Sequence, residues 1–145
     1  MSNVFNILNK KDKTIWSVNP HNTVLETLKI MAEKNVGAVI VLEEGKIAGI
    51  FSERDFARHS VKRSIHPEQV LIKEMMTSLI FSVSPGQTTE ECMSLMTDKR
   101  IRHLPVIEDG KLVGLISIGD VVKQVIEDQK FSISQLERYV NGEAY

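Results

Sequence analysis

The sequence predicts an α/β (α+β) fold in which a β-α-β-β-α unit is built twice, the two copies packing through their sheets as a pseudo-two-fold pair. Three observations carry that prediction. Val18–Phe56 and Val83–Val121 align without a gap at a constant offset of 65 residues, and an internal repeat sets the architecture before any other signal. Each copy places Thr-x-x-Glu (Thr23/Glu26 and Thr88/Glu91) ahead of a helical apolar pattern, the capping box that opens a helix. Each copy also joins two short apolar runs through an acidic residue and Gly45 or Gly110, a strong hairpin signal.

Taken in order, Asn3 to Leu8 is expected to form a short N-terminal helix outside the repeat. Ile15–Pro20 and Ile80–Pro85 each run into a proline, which keeps its predecessor out of the helical region, so both segments should be extended. The first helix of each copy should end near Lys34 or Lys99, with Gly37 read as a stop after the first in preference to a point of close backbone approach. Its apolar face is Leu25, Leu28 and Met31 in one copy and Cys92, Met93 and Met96 in the other. Ala38–Leu42 turns into Lys46–Phe51, and Leu104–Ile107 into Lys111–Ile116, before a second helix starts near Asp55 or Asp120. Residues 63–76, polar and containing Pro67, read as a linker with a short helix. Gln129–Val140 reads as a terminal amphipathic helix with Phe131, Ile133, Leu136 and Val140 as its apolar members, covering either the chain's own core or a dimer partner. The expected division is 1–13 for an N-terminal segment, 14–63 for the first copy, 64–76 for the linker, 77–127 for the second copy and 128–145 for the terminal helix and tail.

Composition narrows the function classes. A unit of roughly 60 residues buries too little surface to be secure alone, so the halves are expected to share a core. A formal net charge of −1 over 145 residues lacks the basic footprint of a nucleic-acid binder. The single cysteine, Cys92, cannot close an internal disulfide, which suits a reducing cytoplasm. No apolar run approaches the roughly 20 residues that span a bilayer, and Met1 to Asp12 lacks a secretory signal's apolar centre. The expectation is a soluble, cytoplasmic protein, and Met1 and the closing tail point to a complete chain.

The chemistry concentrates in one phrase that occurs twice: Gly49-Ile-Phe-Ser52-Glu-Arg-Asp55 and Gly114-Leu-Ile-Ser117-Ile-Gly-Asp120. Glycine in a strand lets a ligand or another backbone come close. A serine at the strand-to-helix junction can donate to a phosphate or cap the helix. An aspartate one short turn later can accept two hydrogen bonds from a vicinal diol such as a ribose, beside a helix N-terminus that favours an anion. Plain helix capping explains the same residues; their retention together at fixed register favours the ligand.

These motifs, with the Val-x-Pro openings and the Arg102-His-Leu-Pro-Val106 strand, resemble the cystathionine β-synthase (CBS) domain, and the chain resembles a tandem CBS pair from about Thr14 to Gln124. More closely, Phe51–Arg58 and Ile116–Val122 are similar to small stand-alone bacterial CBS-pair proteins. The resemblance implies clefts that bind adenine nucleotides and thereby regulate a partner or an attached enzyme. It makes AMP and NAD the first ligands to consider, ahead of ATP and S-adenosylmethionine. By resemblance Asp55 and Asp120 hold ribose, while Ser52 and Ser117 lie near phosphate. Arg54, Arg102 and His103 then contact phosphate, in one shared central cleft, and Arg58 could reach one. The resemblance further implies adenine contacts from Val18, Ala38 and Val39 in one cleft, and from Met76, Thr77, Val83 and Pro105 in the other. It also implies a homodimer and an unidentified regulated protein.

Other residues carry less. Cys92 lies on a helix face without neighbours that would lower its pKa. His21, His59 and His66 show no metal-ligand spacing with one another or with Cys92. Arg58, Lys62 and Arg63 read as a solvated helix face, and Trp16 as a core or interface residue. With no nucleophile–base pair, P-loop or metal cluster, no catalytic residue and no metal are expected. The leading expectation is an adenine-nucleotide sensor. The alternatives are a dimerising scaffold with degenerate clefts, and a regulatory fragment of an enzyme such as inosine monophosphate dehydrogenase.

Overall fold

The structure is a computed structural model that describes residues 1–12, 14–62 and 64–142. Arg63, placed by sequence on a solvated face, and the segment boundaries at 13, 63 and 145 lie outside the described residues. The chain divides into two compact units, Ile15–Ile80, and Met1–Thr14 together with Phe81–Tyr145. The N-terminal segment therefore packs with the second copy.

In the first of these units, β1 (Ser17–Val18) lies parallel to β2 (Ala38–Glu43), and β3 (Lys46–Ser52) returns antiparallel to β2, giving the order β1-β2-β3. The β2–β3 turn places Glu44 at φ 50° and Gly45 at φ 78°, the twist of a two-residue hairpin with both central residues left-handed. Between β1 and β2 runs α2 (Val24–Lys34), opened by a complete capping box in which Thr23 accepts from the Glu26 N–H and Glu26 accepts from the Thr23 N–H. Its C-cap is Asn35 at φ 54° rather than Gly37, since a short polar side chain tolerates the left-handed conformation. The buried face is Val24, Thr27 and Met31, a rotation from the expected Leu25, Leu28 and Met31. Met31 holds its place, Leu28 packs at the margin, and Leu25 is half-exposed. The core gathers Val24 and Met31 with Val18, Val39, Val41, Phe51, Ile72 and Met75; full burial of each large apolar side chain contributes roughly 1.5–3 kcal/mol. After α3 (Glu53–Lys62) a single 3-10 turn at Ile72–Glu74 precedes the second copy, the expected short helix.

The unit containing the second copy repeats this plan with one omission. Here α4 (Thr89–Lys99) is followed by the hairpin β4 (His103–Glu108) and β5 (Lys111–Ser117). The extended segment before α4 contributes only a bridge between Val83 and Val106 where a first strand was expected. The cause is local. In the first unit the Ile40 N–H donates to the Trp16 carbonyl at 3.2 Å, and the residue equivalent to Ile40 is Pro105, which has no N–H to offer Phe81. Thr88 caps the Glu91 N–H in α4, but the reciprocal half of the box is absent and Glu91 instead accepts from Gln87 Nε2 at 3.1 Å. The buried face is Thr89, Cys92 and Met96; Met93, expected inside, is exposed.

One end differs from expectation and the other agrees with it. The expected terminal helix is the continuation of α5, which runs unbroken over Ile118–Val140. Phe131, Ile133, Leu136 and Val140 are exposed along its second half. The N-terminal helix α1 (Val4–Asn9) forms as expected and buries Val4, Ile7 and Leu8 in the core of the second copy. Polar contacts tie it to α5: Ser2 Oγ donates to Asp128 Oδ1 at 2.6 Å, and buried Gln124 donates to both.

Candidate functional site

Each copy's exit motif sits where the second hairpin strand runs into a helix. In the first unit β3 ends at Ser52 and α3 begins at Glu53, whose N–H is taken by the Gly37 carbonyl at 3.1 Å. Asp55 Oδ2 accepts from the Ser52 N–H at 2.9 Å and from Ser52 Oγ at 3.0 Å, while the Asp55 N–H donates to Ser52 Oγ at 3.2 Å. The pair is thus a capping box, with Asp in place of Glu. Asp55 Oδ1 accepts from Thr77 Oγ1 at 3.1 Å, and the Thr77 N–H and carbonyl pair with Ile50 at 2.8 and 2.9 Å.

That pairing explains Gly49. A Cβ there would stand 2.8 Å from the Thr77 carbonyl oxygen and 2.7 Å from Met76 Sδ. The close approach that the glycine allows is made by the chain's own residues after the linker. Met76 and Thr77 thus lie beside Gly49 and Asp55 within the unit that holds the first copy. The register explains it: Thr77 bridges β3 at Ile50. Ala38 lies opposite Ser52 across the hairpin, but Ala38, Val39 and Val18 are buried in the core. Arg54 is half-buried on the first turn of α3, and Arg58 is exposed one turn further on.

The second copy has the same box with a different neighbour. The Ser117 N–H donates to Asp120 Oδ2 at 2.9 Å, and the Asp120 N–H to Ser117 Oγ at 3.1 Å. The partner that Thr77 supplies to Asp55 is here an ammonium: Lys11 Nζ lies 2.7 Å from Asp120 Oδ2 and donates at 2.8 Å to the Leu115 carbonyl. Leu115 is the counterpart of Ile50, so one Lys11 ammonium meets the two acceptors that the Thr77 N–H and hydroxyl meet in the first unit. Burial alone would raise the Asp120 carboxyl; the Lys11 ammonium and the Ser117 N–H and hydroxyl outweigh it and hold the group below its ordinary value. Arg102 and His103 come to the same corner. The Arg102 carbonyl accepts the first helical N–H, that of Ile118, at 2.8 Å, and His103 lies opposite Ser117 across the hairpin. Arg102 is exposed and His103 half-buried; Val83 and Pro105 are buried.

Lys11 was missed because it lies outside the gap-free repeat. Leu8 was missed likewise: its side chain approaches Gly114, where a Cβ would stand 2.6 Å from Leu8 Cδ2. The signal available was the repeated glycine itself, which requires a close neighbour in both copies. Lys34 and Lys99, identities with no assigned role, lie 4.7 Å and 5.1 Å from the Trp16 and Phe81 ring centres, cation–π contacts that join each first helix to its extended segment. Cys92 is fully buried, and burial, with the Glu91 charge adding to it, pushes its thiol up to about 11. Among the described residues no group of three or more His, Cys, Asp and Glu could hold a metal ion, and no helix is long and apolar enough to cross a membrane.

The CBS domain model matches this chain twice, over residues 8–62 and 72–127. The chain belongs to the CBS domain family. This CBS pair is 36% identical over 126 residues to the mitochondrial CBS domain-containing protein CBSX3 of Arabidopsis thaliana, a match that covers 83% of this chain and 61% of that protein. It thus spans less than two thirds of that relative's length. A solved protein with CBS domains from Burkholderia ambifaria superposes with a TM-score of 0.85 at 46% identity, covering 88% of this chain and 96% of the other. The fold is also that of a CBS domain pair solved in complex with 5′-methylthioadenosine and S-adenosyl-L-methionine, at a TM-score of 0.76 and 20% identity, covering 88% of this chain and 98% of that one. CBS pairs are regulatory, ligand-binding modules, and this chain has their fold.

Proposed function

We propose that this CBS pair is an adenine-nucleotide sensor, with AMP or NAD as its ligand, that regulates a partner protein and performs no catalysis of its own. The observation that carries this reading is the twice-built Ser-x-x-Asp corner, where a half-buried carboxylate stands at a helix N-terminus in both units. Asp55 and Asp120 would accept ribose hydroxyls. Arg54, Arg102 and His103 would supply phosphate contacts, and Arg58 could reach one. The complex of a CBS pair of this fold with two adenosine-containing molecules supports the ligand class. Ligand would favour one arrangement of the protein, and a partner preferring that arrangement would respond, by no more than the ligand's differential affinity for the arrangements. The protein would act in the cytoplasm as a homodimer, consistent with the apolar residues left exposed on α5.

Isothermal titration of nucleotide-free protein with AMP, NAD, ATP and S-adenosylmethionine tests this. Saturable binding of AMP or NAD with micromolar affinity supports it. A second reading, a dimerising scaffold with empty corners, is favoured by the helix caps that both aspartates already form. Absence of binding by verified apo protein would decide for the scaffold.

A further inference from the structure

The two corners differ in what already holds the aspartate, and the difference is one of charge. Asp55 accepts from a neutral hydroxyl, Thr77 Oγ1. Asp120 is paired with the Lys11 ammonium, and both side chains are largely withdrawn from solvent, at 31% and 26% exposure. A diol that engages Asp120 must share the carboxylate with that ammonium or displace it. Displacement by a neutral nucleoside leaves a half-buried cation without its counter-charge and forfeits a charge-assisted hydrogen bond, the stronger kind. A ligand carrying its own anion removes this cost. The lysine stem is flexible and its ammonium can turn from Asp120 to a phosphate while the diol takes the carboxylate.

We infer that Lys11 makes the Asp120 corner selective for phosphorylated adenine ligands over the neutral nucleoside. The inference rests on the reading of Asp120 as a ribose acceptor and adds to it a residue outside the repeated motif. Lys11 is suited to the role because α1 is anchored independently of the corner. Val4, Ile7 and Leu8 are buried, and Ser2 is bonded to Asp128, so movement of one lysine head does not require the segment to detach. Among the described residues no lysine meets Asp55 in this way: Thr77 stands in that place, so the same ligands should be discriminated there without a lysine.

The test isolates the second corner with an Asp55→Ala background and titrates AMP and adenosine calorimetrically into that protein, into its Lys11→Met derivative and into its Lys11→Arg derivative. Lys11→Met is expected to lower the AMP-to-adenosine affinity ratio by about tenfold or more, chiefly by weakening AMP and strengthening adenosine. Lys11→Arg, which keeps the cation, is expected to retain most of the ratio. Lys11→Gln provides the same comparison should the methionine variant fail to fold, as judged by its circular dichroism. An unchanged ratio in a folded protein that still binds AMP overturns the role of Lys11 and leaves the ribose reading standing. No saturable binding of either ligand by the Asp55→Ala protein, with further substitution of Asp120 making no difference, overturns both.

Discussion

The Lys11 ammonium lies 2.7 Å from Asp120 Oδ2 and links the N-terminal segment to the first turn of α5, which has a consequence in acid. The Asp120 carboxyl is held below its ordinary value although burial pushes the other way. A carboxylate whose folded pKa is depressed contributes stability that is present above its unfolded pKa, about 4, and is lost as pH falls through the folded value. Melting temperature should therefore fall with acid below about pH 5, and part of that slope should vanish in Asp120→Asn. In Lys11→Met the slope should also shrink, because burial then opposes only the Ser117 bonds. Thermal melts from pH 7 to pH 2.5 check this, and a slope unaltered by both substitutions would remove the pair from the account.

Gly49 and Gly114 are equivalent in sequence but not in what surrounds them. At Gly49 an added Cβ would meet the Thr77 carbonyl oxygen at 2.8 Å, a backbone atom fixed by its pairing with Ile50. At Gly114 it would meet Leu8 Cδ2 at 2.6 Å, the far end of a side chain that can change rotamer. Gly49→Ala should cost about 2–3 kcal/mol and Gly114→Ala about 1 kcal/mol, within the range for overpacking. Urea denaturation of the two variants measures the difference, and equal losses would contradict the distinction between backbone and side-chain neighbours.

How far the fold was legible follows from where the information sits. The repeat at constant offset, Thr23 and Thr88 as caps, and the Glu44-Gly45 and Asp109-Gly110 turns are local signals, and each forms the expected element. The missing first strand of the second copy was also local. Pro105 was visible, but its cost depends on knowing that the equivalent N–H, that of Ile40, reaches Trp16. Periodicity found the helices and misjudged their rotation, because Val24/Thr27/Met31 and Leu25/Leu28/Met31 both fit the three-or-four-residue spacing of a helix face and differ in which neighbour covers them. At the corners the Ser and Asp residues were legible, while Lys11, Leu8 and the placement of Met76 and Thr77 were not. Those are long-range contacts from segments the repeat does not include. The continuation of α5 past Gln129 needed no break in the sequence, since no Gly or Pro lies between Val121 and Val140.

Cys92 offers a reading of opening motions. Its side chain is fully buried beside Met96, and burial raises the thiol to about 11, so at neutral pH it is neither accessible nor ionised. Modification by a thiol reagent should require unfolding of α4, with a rate in native buffer at least about a hundredfold below that in urea. Absorbance-monitored labelling checks this; rapid labelling of the native protein would show that α4 opens readily.

Asp55 and Asp120 have two jobs on the present reading, and the substitution must separate them. Alanine at either position removes the acceptor for the Ser52 or Ser117 N–H as well as any ribose contact, and loss of a cap costs about 1 kcal/mol. Asparagine keeps a carbonyl oxygen for that N–H and removes the charge, so its effect on binding is less mixed with folding. Asp120→Asn and Asp55→Asn should each weaken AMP at their own corner by about tenfold, the loss of a charged acceptor to a hydroxyl. The ligand supplies the control. A 2′,3′-dideoxy analogue of AMP has no diol to donate, so it should bind the wild-type protein weakly and be indifferent to either substitution. Calorimetry on the four combinations gives a coupling between carboxylate and diol. A coupling near zero would mean that the aspartates serve the helices alone, whatever else the corners bind.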